Sequence, residues 1–351
     1  MKNKYFKHKK ILITGATGSV GASLIKELIG NHEFKVIRAM SNDENGLFSL
    51  KSIIRKNLCT YGTLTRKEKI RLLHGDVRSF KRCLEATSNI DVVIHAAAMK
   101  HVDICEYNPA ETIATNILGT KNIVKASLKN KVSKFIFVST DKAVNPSTLM
   151  GKSKLTAENI VNKANNKTLK KNKNSFHVIR FGNVIGSRGS VLEVFNKQLN
   201  ANLNLTITHK EMTRFFMNLD DAAKKILKSI EISRGGEIFA IQSMKSFKVN
   251  DLAKSLIKHH KKGKKNRSKI IYIGVRKNEK LHEKLLTDSE AKNVVQTKDF
   301  FIANNFFNID NNKRYYEGSK LNDISLLDSG TIKLLNQKEI TKYLLDKKLI
   351  K

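Results

Sequence analysis

The sequence predicts an α/β protein: a doubly wound parallel sheet followed by a smaller C-terminal region of mixed α/β structure. Two observations predict the sheet. Short apolar runs alternate with amphipathic helical stretches as far as Arg180, which is the rhythm of βαβ units. A glycine triplet, Gly15-x-x-Gly18-x-x-Gly21, leaves the first apolar run and opens the first helix. A third observation predicts the second region, because beyond Arg180 that rhythm breaks up. The expected division is a Rossmann-type dinucleotide-binding domain at 1–180 and a mainly substrate-binding region at 181–351, from which segments are free to return to the first.

Taken in order, Lys10 to Thr14 reads as the first strand and Ser19 to Ile29 as the first helix. Further strands are expected at Phe34 to Met40, Ile70 to Leu73, Asp91 to His95, Lys134 to Val138 and Phe176 to Arg180. Helical patterns separate them, notably Asn108 to Lys129 and Lys152 to Asn165. In the second region, Ser190 to Leu199, Leu219 to Ile232, Asn250 to Lys258 and Gln337 to Leu345 read as helices. Leu205 to Thr208, Glu237 to Ile241 and Lys269 to Ile273 read as short strands. Two polar, lysine-rich stretches, Asn166 to Asn174 and His259 to Lys269, are expected as surface loops, because charge runs rarely pack.

The 351 residues are 40% hydrophobic, enough for a large core and too many for a disordered chain. Lys and Arg number 66 against 31 Asp and Glu, a formal charge of +35. That total raises nucleic acid or an anionic membrane as partners. The lysines are spread over almost every segment alongside abundant Asn and Ile, so a coding bias explains them better than a binding patch. No nucleic-acid partner is expected, although the charge would steer an anionic nucleotide. Cys59, Cys83 and Cys105 lie far apart and form no metal or CxxC pattern, which predicts reduced, buried thiols and no metal. The apolar run Ile11-Leu12-Ile13 after the basic head is far too short for a signal core, and no stretch approaches a membrane span. A soluble, cytoplasmic protein is the expectation.

The segment Gly15-Ala16-Thr17-Gly18-Ser19-Val20-Gly21 has the context that a dinucleotide site requires. Glycines let backbone approach a pyrophosphate, and the helix N-terminus supplies N–H donors. After the second strand, Asp43 could hold a ribose 2′-hydroxyl and favour NAD, whereas the nearby Arg38 would favour the 2′-phosphate of NADP. Asp76 and Val77 have the usual place of an adenine contact. Ala96, Ala97 and Ala98 are small enough to let the cofactor lie against the fourth strand. Asn116, mid-helix on an apolar face, is expected to brace the sheet.

Residues 139–154, Ser-Thr-Asp-Lys-Ala-Val-Asn-Pro-Ser-Thr-Leu-Met-Gly-Lys-Ser-Lys, follow a strand and place an acid, an amine and a second lysine in one turn. Beside a nucleotide redox cofactor, an Asp141-Lys142 pair points to hydride transfer coupled to proton abstraction. The bland alternative is a surface ion pair or a helix cap.

Together, HAAAMKHVD (95–103), EYNP (106–109), STDKAVNP (139–146), FGNVIGSRGSV (181–191), MTRFFM (212–217), GGEIF (235–239) and GVRKNEKLHE (274–283) resemble the polysaccharide-biosynthesis branch of the extended short-chain dehydrogenase/reductases. The resemblance covers about residues 9 to 345 and is similar to the short members that act on UDP-N-acetylglucosamine as 4,6-dehydratases. It implies oxidation at the sugar C4, proton removal from C5, loss of water from C6 and return of the hydride. Lys142 is then the C5 base, which requires a neutral amine, and Asp141 the acid at C6. Lys154 holds the nicotinamide ribose, and Thr140 lies close enough to hydrogen-bond the sugar. Met150 stands where the superfamily usually has a proton-transferring tyrosine, and a thioether transfers no proton. The resemblance includes a methionine-bearing subset, so Met150 marks a subgroup and leaves the C4 proton acceptor open between Asp141, Thr140 and water.

For the UDP-sugar, the same matching selects Lys100, Asn183, Arg188, Arg214 and Arg276 toward sugar or phosphates, and Glu279 toward the uridine ribose. Asn278 replaces a family glycine, and asparagine tolerates positive φ. His95, His101 and His282 are expected in packing or loop roles. NADP is slightly favoured over NAD by the resemblance, and a homo-oligomer, dimer or higher, is expected through the helices at 108–129 and 152–165. Two other readings compete. A UDP-sugar epimerase shares the oxidation but needs no C5 base, and Met150 with the +35 charge motivates a non-catalytic nucleotide- or RNA-binding protein.

Overall fold

A computed structural model describes residues 3–60, 69–169, 174–260, 268–304 and 315–350. Its centre is a ten-stranded sheet. Strands β1 (Lys10–Thr14), β2 (Val36–Ser41), β3 (Ile70–His74), β4 (Val92–His95), β5 (Lys134–Val138) and β6 (Ser175–Arg180) lie in the order β3-β2-β1-β4-β5-β6, all parallel. Their burial is close to continuous in β1, β4, β5 and β6, as expected of strands covered on both faces. Helix α1 (Ser19–Asn31) follows β1, α2 (Glu44–Thr60) follows β2, and α3 (Phe80–Thr87) follows β3. The order reverses between β1 and β4, and a crevice opens there at the strands' C-terminal ends.

The expected strands and helices stand within a few residues of their observed bounds, with four informative differences. Asn108 to Lys129 is not one regular helix. It is a short α5 (Pro109–Thr112), one π-helical stretch at Ile113–Leu118, and α6 (Gly119–Lys129), preceded by α4 (Val102–Tyr107). The wider turn carries Asn116, 1% exposed, whose Oδ1 accepts from Met99 N (2.8 Å) and whose Nδ2 donates to Met99 O and Ser153 Oγ. Asn116 therefore braces the loop after β4 rather than the sheet itself.

Helix α7 (Leu149–Leu169) runs into the stretch expected as a loop from Asn166. Buried Asn165 explains the extension, because its Oδ1 accepts from Phe176 N (3.1 Å) and ties the helix to β6. The rest of that loop, 170–173, lies outside the described residues. His259 and His260 likewise close a helix instead of opening a loop, and 261–267 lie outside the described residues.

The sheet also crosses residue 180. After α9 (Leu219–Ile232), β10 (Ile238–Ile241) pairs in parallel with β6. Strands β13 (Val294–Gln296), β14 (Phe300–Ala303) and β15 (Ser319–Lys320) add an antiparallel edge. These segments of 181–351 belong to the large sheet.

The remainder forms a separate small core: α8 (Val191–Asn200), a β11-β9-β7 sheet, a β12-β8 pair, α10 (Val249–His260) and α12 (Gln337–Asp346). The strands here are β7 (Asn183–Ile185), β8 (Leu205–Ile207), β9 (Thr213–Asn218), β11 (Lys245–Lys248) and β12 (Ile270–Tyr272), and the short α11 (Asp288–Ala291) leads back to the large sheet. Only β8 and β12 match expected strands, since β7, β9 and β11 have too little alternation to read. Cys83 and Cys105 are buried free thiols, and burial pushes Cys83 up to about 12. Among the described residues, no helix is long and apolar enough to cross a membrane.

Candidate active site

A cleft of about 930 Å³ lies between the C-terminal ends of the parallel strands and the small core. Its floor is the glycine turn. Gly15 has φ +65°, and a Cβ there would lie 2.7 Å from Ala97 N and 2.8 Å from the Ala96 carbonyl. The two loops thus pack backbone against backbone. Gly18 is the N-cap of α1 and has no side chain to cap the first turn, and Gly18, Ser19, Val20 and Gly21 line the cleft at this helix start. Gly15→Ala should cost about 1–2 kcal/mol for the left-handed backbone alone, besides the clash. Its dinucleotide affinity, measured by fluorescence titration, should fall about tenfold or more.

Ala96 and Ala98 line the cleft, while Ala97 supports Gly15 from behind. Thr17 and Asp43 lie outside the lining. Thr17 Oγ1 bonds Ser41 Oγ (2.8 Å), and Asp43 Oδ1 accepts from Gly46 N (2.8 Å) at the start of α2. Arg38 turns the other way, donating to the carbonyls of Glu85, Ala86 and Ser88 at the end of α3. The slight preference for NADP has no support from this arginine, because α3's terminal carbonyls hold its guanidinium. Burial opposes the charge on Asp76, but hydrogen bonds from Arg78 win and hold its carboxyl below the usual range. Val77 is a packing residue against Gly119.

The Asp141-Lys142 turn follows β5. Asp141–Ala143 forms one 3₁₀ turn, with the Thr140 hydroxyl accepting from Lys142 N. Asp141 is fully buried. Its Oδ1 accepts from Thr140 Oγ1 and Lys142 Nζ, both at 2.9 Å, and its Oδ2 has no hydrogen-bond partner among the described residues. Lys142 Nζ also donates to Asn183 Oδ1 (2.9 Å) and lies 3.6 Å from Glu283 Oε1.

The neutral amine expected at Lys142 is not the form this surrounding favours. Burial and Arg214 depress its pKa, but the carboxylates of Asp141 and Glu283 outweigh them and the net shift is upward. Asn183, expected toward a diphosphate, lines the cleft and holds this amine through its Oδ1, because β7 starts directly against the turn.

Met150 and Lys154 lie on the first turns of α7, whose Leu149 N–H is held by Glu106 Oε1 (2.6 Å). Both side chains line the cleft, and Met150 is 3% exposed. Lys154 Nζ donates to Val138 O (2.8 Å) and sits 4.5 Å from the Phe137 ring centre. Burial pulls its pKa down to about 8 against the attraction of Glu158. Its folded pKa lies below the unfolded value, so the unfolded chain binds more protons between about 8 and 10.5 and this residue's contribution to stability rises with pH there. Lys154→Met should therefore show its greatest stability relative to wild type at pH 7, and calorimetry should show that difference shrinking toward pH 10.

The cleft's other side carries Lys100, Arg188, Arg214, Arg276 and Glu279. Lys100 Nζ donates to Arg188 O (2.7 Å). Arg188 was expected at the substrate diphosphate, but its guanidinium donates to Thr17 O and its N–H to Ser19 Oγ. Gly186 (φ +78°) and Gly189 (φ +71°) fold this loop onto the start of α1. Arg214 is 7% exposed, bonded to the carbonyls of Thr213, Lys280 and Leu281, and 3.7 Å from Glu279 Oε1. Glu279 Oε2 accepts from Arg276 N, and Asn278 takes φ +64°, so that turn survives without its glycine.

His95 is buried and neutral, pushed down to about 3 by burial and then by Lys154, between the hydroxyls of Thr14 and Thr120. His101 precedes α4 and His282 bonds Thr213. Sequence reasoning passed over two groups. Glu283, last residue of GVRKNEKLHE, is the second carboxylate at Lys142. Arg180 joins Glu158 and Glu290 beneath the turn. A second groove of about 820 Å³, between α10 and α12, holds none of the residues singled out by the sequence.

A family profile described as "Polysaccharide biosynthesis protein" matches residues 11–305. The chain belongs to that family. Within it, the chain is 39% identical over 345 residues to the "Uncharacterized membrane protein MJ1061" of Methanocaldococcus jannaschii, covering 97% of each. It is 40% identical over 300 residues to a UDP-N-acetylglucosamine 4,6-dehydratase (inverting) of Campylobacter jejuni, covering 84% of this chain and 83% of that protein. It is 36% identical over 348 residues to a UDP-glucose 4-epimerase of Rickettsia canadensis, covering 97% and 96%. Among solved structures, Pen from Bacillus thuringiensis is similar at a TM-score of 0.86 and 34% identity, over 97% of this chain and 98% of that one.

Proposed function

We propose that this family member is a nucleotide-sugar 4,6-dehydratase acting on UDP-N-acetylglucosamine, with NAD as its resident cofactor. One observation carries this reading: a fully buried acid and an amine, Asp141 and Lys142, share a hydrogen bond at the cleft that the glycine turn floors. An epimerase inverting C4 has no need of a second acid/base pair at C5 and C6.

The glycine turn fits the proposed dinucleotide, since any side chain at Gly15 would fill the cradle. Gly18 to Gly21 would hold its pyrophosphate and Lys154 its nicotinamide ribose. Asp43 rather than Arg38 lies beside the glycine turn, which favours NAD. When bound, the cofactor would supply a hydride acceptor for the sugar C4 and a hydride donor for C6.

The chain's own residues do the proton work. Lys142 removes the C5 proton, acidified by the C4 ketone. Asp141 takes the C4-hydroxyl proton through Thr140, which lines the cleft and donates to its Oδ1 (2.9 Å), and returns that proton to the departing C6 hydroxyl. Met150 takes no part in proton transfer and presents an apolar wall. Arg214, Arg276 and Glu279 would receive the nucleotide on the small-core side.

The test is incubation of the purified chain with UDP-N-acetylglucosamine. A 4-keto-6-deoxy product absorbs in alkali and is identified by NMR, which also reads the C5 configuration. A C4 epimer with no absorbing product would overturn the dehydratase reading. That second outcome has its own support in the relative named a UDP-glucose 4-epimerase.

A further inference from the structure

We propose that Glu283 is the proton partner of Lys142, accepting the ammonium proton when the sugar covers the pair and so presenting a neutral amine to C5. This rests on the dehydratase reading above.

Glu283 is 3% exposed and fixed from behind: its N–H donates to Ser329 Oγ (2.8 Å), and its carbonyl accepts from Ser329 N (2.9 Å). Its Oε1 lies 3.6 Å from Lys142 Nζ, within the tightening that such contacts undergo when substrate binds. Its Oε2 has no hydrogen-bond partner among the described residues. A buried carboxylate with an open oxygen can take a proton at small cost.

The other charged groups facing Lys142 are less suited to the exchange. Asp141 Oδ1 already accepts two donors and this acid is needed at C6. Arg214 cannot give up a proton. Lys280 donates to Val144 O (2.6 Å) and stands 4.0 Å from Glu283 Oε2.

The Lys142 side chain keeps 23% of its surface exposed, toward the cleft. A sugar seated there removes that water. Drying a charged pair disfavours it relative to its neutral form. The Lys142 N–H bond then breaks and a Glu283 O–H bond forms, with no proton lost to solvent. The freed lone pair takes the C5 proton, and the C5–H electrons move into the enolate of the C4 ketone. Glu283 acts through Lys142 and is a positioning residue.

Glu283→Gln tests this through the pH profile. In wild type, kcat should be nearly flat from pH 7 to 9, because the proton stays within the pair. In the variant, Lys142 must lose its proton to water, so kcat should fall at least about tenfold at pH 7 and rise about tenfold per pH unit. An unshifted profile with a uniformly lower rate would overturn the proposal. Glu283→Asp keeps a carboxylate and should keep the flat profile at a reduced rate; a profile like that of Glu283→Gln would count against the proposal.

A turnover-free readout separates the two inferences. In protein labelled with ¹⁵N-lysine, with Lys142→Ala for assignment, Lys142 should titrate above an ordinary lysine in wild type and at least about one unit lower in Glu283→Gln. A Lys142 pKa indifferent to the substitution would overturn the pairing, even in a chain that makes the 4-keto sugar. A coupled pair in a chain that makes none would instead overturn the dehydratase reading.

Discussion

Lys142→Ala should lower turnover of UDP-N-acetylglucosamine by about 10²- to 10⁴-fold, the range for loss of a positioned general base, while leaving UDP affinity nearly unchanged. The reason is geometric. Lys142 Nζ is held by Asp141 and Asn183 at 2.9 Å at the end of β5, and the nucleotide would meet Arg214, Arg276 and Glu279 instead. Steady-state kinetics with calorimetric UDP titration reads both quantities. The alanine leaves Asp141 and Glu283 buried without their shared cation, so thermal unfolding must be measured alongside. A folded variant with wild-type turnover would remove Lys142 as the base. Exchange of solvent deuterium into C5 is the finer probe, since it should be lost even if slow C4 oxidation continues.

Arg180→Met should destabilise the fold by about 3–5 kcal/mol, the usual cost of stripping the partner from a buried charge, lowering Tm by on the order of 10 °C. Arg180 is 1% exposed at the end of β6. Its guanidinium forks onto Glu158 of α7 (2.8 and 2.6 Å) and reaches Glu290 of α11 (2.8 and 3.0 Å). Glu158 also accepts from Ser139 Oγ (2.5 Å), one residue before Thr140. The network thus clamps the Asp141-Lys142 turn, α7 and the returning chain together. Replacing Glu158 and Glu290 by glutamine in the same chain should recover much of the loss, because the expense lies in the abandoned carboxylates. Burial opposes the charge on Glu290, but Arg180 and Thr287 prevail and hold its carboxyl below the usual range. That contribution is present above the unfolded pKa and fades as the pH falls through the folded one. The gap between wild type and Arg180→Met should therefore narrow in acid, which denaturant titrations at pH 7 and pH 4 would check.

Residues adjacent in sequence and tied to a short-range pattern were legible. The alternation of apolar runs marked β1 to β6, and Gly15, Gly18 and Gly21 marked the cradle because a helix start and a tight turn are local events. Asp141, Lys142, Met150 and Lys154 were legible for the same reason, being one strand end, one turn and the start of one helix. The positive φ of Asn278 followed from residue type. Arg188 and Asn183 line the cleft, and their partners within the fold, Thr17 and Ser19 for one and Lys142 for the other, were not legible, since a side chain's direction depends on where its loop lands.

Long-range pairing decided the rest. Glu283 and Lys142 are far apart in the chain, and nothing local in GVRKNEKLHE says that its last carboxylate meets the amine. Arg38 read as a possible phosphate ligand until the end of α3 was seen to occupy it. The small strands β7, β9 and β11 carry too few residues for a period to emerge, and their pairing comes from the surfaces around them.

By itself the sequence determined the parallel α/β scaffold, the dinucleotide turn and the presence of an acid–amine pair, because backbone sterics and hydrophobic periodicity act over a few residues. Only the tertiary structure decided which way the surroundings push the amine of that pair. The balance between burial, which discharges Lys142, and two carboxylates, which charge it, depends on ångström distances between segments that fold together from opposite ends of the chain.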